Sequence, residues 1–164
     1  MAFRDVTTPA QALAVARSGV ASLSQLSRTM GGTKVEALMK LYLIELNEVL
    51  GLKSPLSEAQ INAIAAELPA KYPWLTMADV NLVFRRVKCG ECGKLYDRLT
   101  MPQLMQIFSD YNDERCEEAA RQSRAEAESY RDDRERVDKD RQAWHNALKA
   151  SLMAAAKARE AETD

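Results

Sequence analysis

Apolar residues recur at helical spacing through the first 112 residues, and beyond them the pattern gives way to charge. Thr8-Pro9 supplies a cap and a first-turn proline, so a helix is predicted over about 9–18, ended by Gly19. The stretch SLSQLSRTMGG is Ser-rich and closes on Gly31-Gly32, which marks residues 1–32 as a flexible or loosely docked N-terminal arm. Thr33 caps a helix predicted over about 34–50 and closed by Gly51. Its apolar residues, from Val35 and Leu38 to Val49 and Leu50, cover more than one face, so the helix is expected at the centre of the core. Ser57 and Gln60 form a capping box, and Ile61, Ile64, Ala65 and Leu68 follow at i, i+3, i+4 and i+7 over about 58–68. Pro69 and Pro73 bracket a turn, with Trp74-Leu75 expected to plug the core. Thr76 and Asp79 repeat the box, and Met77, Val80, Phe84 and Val87 form one stripe over about 77–88, stopping near Gly90 and Gly93. Thr100 caps the last helix, tolerates Pro102 in its first turn, and turns Leu104, Met105, Phe108 and Tyr111 inward.

Between Asp113 and Gln142, 19 of 30 residues are charged, and Leu, Ile, Met and Phe are missing. Opposite charges recur four apart, as in Glu117/Arg121, Arg131/Glu135 and Glu135/Lys139. Each pair adds about 0.2–0.5 kcal/mol to a helix. With no Gly or Pro to stop it, the last helix should run on as one solvated rod, and 30 residues span roughly 45 Å. Tyr130, Val137 and Trp144 sit seven apart along it, with Ala120, Ala127 and Leu148 in the row four residues on and Arg134 and Arg141 interrupting that row. Tyr130, Val137, Trp144 and Leu148 are therefore the candidate partner-binding residues. The expected fold class is all-α: a compact helical head over 33–112, followed over 113–164 by a long, highly charged, solvent-exposed C-terminal helix with an amphipathic tip.

Composition agrees with helices. Hydrophobic residues make up 46% but aromatics only 6%, much of the apolar share being Ala. The net charge of −1 gives no global field towards nucleic acid or membrane. It is uneven, however, with twelve Lys and Arg against nine Asp and Glu in residues 1–100, and eleven against fifteen thereafter. No apolar run approaches a membrane span, and the N-terminus does not read as a secretion signal because Pro9 and Arg17 break its Ala-rich stretch. Three Cys, an odd number, point to a reduced, cytoplasmic chain.

Cys89-Gly-Glu-Cys92-Gly-Lys has the shape of a zinc knuckle, with Tyr96 two residues on as in the first half of a zinc finger. The second half is missing, since Met105 and Ser109 occupy the places where His would be needed, and the single His is His145. Cys116 could be a third ligand, but no fourth is in reach within one chain. The plainer reading is a Gly-rich turn whose Cys act as small hydrophobes, so no metal and no cofactor are expected. A thioredoxin-type role would need the CxxC at a helix N-terminus after a strand, and here it follows a helix. One His on a charged helix leaves no nucleophile–base pair, and no phosphate-binding loop occurs, so no enzyme is expected.

Arg85, Arg86, Lys88, Lys94 and Arg98 fall within 14 residues, opposed by Glu91 and Asp97. A helix end, a glycine turn and the next helix start would make a basic helix-turn-helix corner, with Tyr96 able to stack on a base. Cations at a helix C-terminus also simply answer the helix dipole. The candidate nucleic-acid-binding residues are Arg85, Arg86, Lys88, Lys94, Tyr96 and Arg98.

Three further pieces lie in the same region: Tyr72-Pro73-Trp74-Leu75-Thr76, Gly90-Glu91-Cys92-Gly93-Lys94-Leu95-Tyr96 and Tyr111-Asn112-Asp113-Glu114-Arg115. Together they make residues 72–116 resemble small, mostly uncharacterised proteins of bacteriophages and mobile elements. Some of these look like replication accessory proteins such as helicase loaders. The resemblance implies a non-enzymatic accessory role in phage or mobile-element DNA replication, in the cytoplasm of a host cell. DNA would meet the basic corner and a protein partner the long helix. It carries over no catalytic residue. The alternative is a structural or assembly protein that oligomerises through the C-terminal helix.

Overall fold

Capping side chains set where the helices begin. The computed structural model describes residues 3, 5–93 and 98–161, with side chains described as far as 154. Among these are six helices and no strand: α1 (Pro9–Arg17), α2 (Leu23–Met30), α3 (Gly32–Leu50), α4 (Glu58–Lys71), α5 (Met77–Lys88) and α6 (Met101–Ala161). At Thr8, Ser22, Ser57 and Thr76 the hydroxyl accepts the amide three residues on, and the side chain there accepts the cap amide in return. Thr100 and Gln103 make the same exchange at the start of α6, where the Thr100 amide donates to Gln103 Oε1 at 3.0 Å. Each box satisfies amides that a helix start leaves without partners. α3 is the exception. It starts after Gly31, whose φ of 94° suits only glycine, so Thr33 lies inside the first turn and caps nothing.

The chain divides into two compact units, Met1–Ala119 and Ala120–Asp164. The first contains the core. Val35, Met39, Leu43 and Leu46 of α3 meet Ile64 and Leu68 of α4, Val80, Phe84 and Val87 of α5, and Leu104 and Phe108 of α6. A run of rings crosses it, with Tyr42 and Phe84 centred 5.7 Å apart, Phe84 and Phe108 also 5.7 Å, and Phe108 and Tyr72 6.2 Å. Asn47 fastens the loop after α3, since its Nδ2 donates to the Leu56 carbonyl at 2.9 Å and its Oδ1 accepts the Leu56 amide at 3.0 Å.

Within the stretch read from the sequence as a flexible or loosely docked arm lie α1 and α2. Val6, Ala12, Leu13 and Leu23 are buried, and the Leu23 amide donates to the Leu75 carbonyl at 2.7 Å. The signal for α2 was the pair Ser22 and Gln25, a capping box hidden in a Ser-rich stretch. α3 is packed on one side only, and Leu41, Ile44 and Val49 are exposed. α4 continues through Pro69 to Lys71, because a proline in the last turn removes one donor while the Tyr72 amide still reaches the Leu68 carbonyl at 3.0 Å. Leu75 is fully buried, but Trp74 lies half exposed at the surface, its indole donating to Asn112 Oδ1 at 2.9 Å.

One buried carboxylate ties these parts together. Asp79 is the box partner of Thr76, and its Oδ2 accepts both the Thr76 amide and hydroxyl at 2.8 Å. Its Oδ1 accepts the Tyr111 hydroxyl at 2.6 Å and Arg115 Nε at 2.8 Å, both from α6. Asp79 has no exposed surface, and the Arg115 side chain is only 12% exposed. Burial, then the neighbouring Asp79 charge, push the Tyr111 hydroxyl well above its usual pKa, so it remains a donor.

In the second unit, every side chain from Ser123 to Ala154 is exposed. Glu135 and Lys139 pair at 3.7 Å as the four-residue spacing predicts, whereas Asp133–Arg136 and Asp138–Arg141 pair three apart, each at 3.1 Å.

Removing one member of a buried ion pair leaves the other charge uncompensated. Asp79→Ala is therefore expected to cost about 3–5 kcal/mol in urea unfolding, and Asp79→Leu with Arg115→Met distinctly less.

Candidate functional site

The last turn of α5 carries Arg85, Arg86 and Lys88, where the helix dipole favours cations. Two of the three are turned onto neighbouring helices. Both terminal nitrogens of Arg86 bond the Glu114 carboxylate of α6, Nη2 to Oε1 at 3.1 Å, while its Nε lies 3.9 Å from Glu91 Oε2. Its guanidinium also lies 5.8 Å from the centre of the Tyr111 ring. The hydrogen bond to Glu114 is the main reason its pKa is raised further. Lys88 Nζ donates to Glu45 Oε1 of α3 at 2.6 Å. Arg85 and Arg98 are exposed, and Lys94 and Tyr96 lie outside the described residues. Of the six candidate nucleic-acid residues, the structure thus places Arg85 and Arg98 on the surface and Arg86 and Lys88 in ion pairs.

Beside Arg86 is a pocket of about 360 Å³, lined by Val83, Ile107, Tyr111, Cys92 and the carboxylates of Glu91, Asp110 and Glu114. Among the described residues, three acidic side chains and one guanidinium line it. Cys92 is half buried in its wall, and burial raises its thiol pKa. Cys89 and Cys116 are exposed. Among the described residues, no group of three or more His, Cys, Asp or Glu side chains, Cys89, Cys92 and Cys116 included, is arranged so that it could hold a metal ion.

The network of Thr76, Asp79, Tyr111 and Arg115 was only half visible in the sequence. The capping box announced Asp79 as a cap partner, and Tyr111 and Arg115 share a face at i, i+4. Nothing in the spacing says that the two pairs meet. The motif pieces that carry the resemblance are largely used inside the fold: Tyr72 is buried, Thr76 caps α5, Glu114 holds Arg86, and Tyr111 and Arg115 hold Asp79.

Along α6, Tyr130 is 71% exposed, Val137 52%, Trp144 64% and Leu148 42%. Their spacing places them on one face of the helix.

The cysteines should differ in reactivity, because the thiolate is the nucleophile and Cys92 is both screened and held as a thiol. With limiting iodoacetamide near pH 8, peptide mapping should find Cys89 and Cys116 alkylated well before Cys92. Equal rates at all three positions would contradict the placement of Cys92.

No protein-family model matches the chain, and neither a curated protein nor a solved structure matches it.

Proposed function

We propose that this chain is a non-enzymatic assembly protein that oligomerises through the part of α6 beyond Ala119. The observation that carries the reading is the exposure of four large apolar side chains, Tyr130, Val137, Trp144 and Leu148, on one face of a highly charged helix. Fully burying an apolar side chain of this size contributes about 1.5–3 kcal/mol, so a row of them rewards a partner helix. The state of the head supports the same reading. Asp79, Glu45 and Glu114 are engaged by Arg115, Lys88 and Arg86, so these charges bind helices to one another.

Light scattering tests it. The full chain should exceed its monomer mass of 18.3 kDa, and Tyr130→Glu with Val137→Glu and Trp144→Glu should return it to that mass with unchanged helix content. A full chain at monomer mass throughout would overturn the reading.

A second reading is that of an accessory protein of phage or mobile-element replication that touches nucleic acid through Arg85 and Arg98, together with Lys94 and Tyr96. The exposure of Arg85 and Arg98 favours it, as does the resemblance of residues 72–116. Anisotropy titration with single- and double-stranded DNA at low salt should then give binding that weakens as salt rises. No binding at roughly tens of micromolar protein, weaker than ordinary non-specific affinity, removes it.

A further inference from the structure

We propose that the partner of α6 is the α6 of a second copy of this chain, lying antiparallel, with Trp144 of each copy seated on Ala127 of the other. The inference rests on the oligomerisation reading above and specifies its geometry.

The starting point is the make-up of the seam. One row holds Ser123, Tyr130, Val137 and Trp144, and the row four residues on holds Ala127, Arg134, Arg141 and Leu148. Alternating steps of four and three are those of a coiled-coil seam, in which each side chain fits between those of the facing helix. Two arginines in the seam decide the direction. In a parallel pair each layer faces its own copy, so Arg134 would meet Arg134 and Arg141 would meet Arg141. Parallel flanks would also set Asp133 against Asp138. Like charges brought together in a partly dry seam oppose assembly.

An antiparallel pair centred between Glu135 and Arg136 removes both like-charged layers. Ala127 then faces Trp144, Arg134 faces Val137, Arg141 faces Tyr130 and Leu148 faces Ser123. A small side chain lies opposite a large one at both ends, so the layers interdigitate. The Arg141 guanidinium meets a tyrosine ring, an attractive contact, while the stem of Arg134 covers Val137. On one edge Arg131 faces Asp138, twice by symmetry. On the other, Asp133 faces Asp140, with Arg134 and Arg141 beside them to balance the charge. The exposed pairs Asp133–Arg136 and Asp138–Arg141 within each helix are surface pairs of small worth, so exchanging them for contacts across the seam costs little. The paired stretch, from Ala120 to Ser151, is about 48 Å long, with Ala127, Tyr130, Val137, Trp144 and Leu148 on a single helix face.

Charge reversal separates the two directions. Sedimentation velocity over a dilution series would compare the full chain with Asp138→Arg and with the double variant Arg131→Asp, Asp138→Arg. The antiparallel pair predicts about tenfold weaker dimerisation for D138R, since two facing Arg131–Asp138 attractions become repulsions. The double variant restores those attractions and should return to within about threefold of the parent. Both variants lose the in-helix Arg141–Asp138 bond, so comparing them holds that loss constant. D138R tightening the dimer would overturn the antiparallel arrangement, because only the parallel pair sets Asp138 against Asp133. A double variant as weak as the single one would overturn it as well. In both cases oligomerisation itself would stand. A parent chain monomeric at every concentration would instead overturn the oligomerisation reading along with this one.

Discussion

The Asp79 carboxylate fixes the geometry of the head. A buried charge is tolerable only when nearly all of its lone pairs are taken, and here four donors converge on two oxygens. Two of them come from Thr76, which starts α5, and two from Tyr111 and Arg115 on α6. The bonds from Tyr111 and Arg115 are satisfied together only if α6 continues as a helix past the core residue Phe108 by two turns. The carboxylate therefore sets the start of α5 and the register of α6 against it. The aromatic run from Tyr42 to Tyr72 then fills the space that this register leaves.

The surface follows from the same constraint. With α6 held in register, Glu114 faces Arg86, and one of the candidate nucleic-acid residues closes a second link between α5 and α6. Lys88 does the same towards α3 through Glu45. A charge cluster in a sequence states which side chains are near one another along the chain. It does not state which of them the fold neutralises from a distance of 28 or 43 residues, as happens here. The apolar stripe of α6 is different, because from Ser123 to Ala154 every side chain is exposed.

Local chemistry made much of the fold legible. The boxes at Ser57 and Thr76 and the αL glycine at position 51 set helix ends where the sequence places them. α2 was hidden because its Ser-rich composition outweighed the Ser22–Gln25 box, and Trp74 was misplaced because a large aromatic reads as core until a surface partner such as Asn112 is known. The ion pairs were illegible for a further reason, since they join residues whose contact depends on packing. The exposed stripe at 130, 137, 144 and 148 was legible because a single helix converts sequence spacing directly into a face.

What joins these observations is a division of labour along α6: Tyr111 and Arg115 lock the head, and the residues after Ala119 carry the exposed apolar stripe that we propose as the contact face. Hydrogen–deuterium exchange measured at increasing protein concentration tests that division most directly. Amides between Ala120 and Ser151 should gain protection as concentration rises, while those of residues 72–115 remain unchanged. Unchanged exchange beyond Ala119, or a concentration-dependent change centred on residues 85–98, would contradict the account.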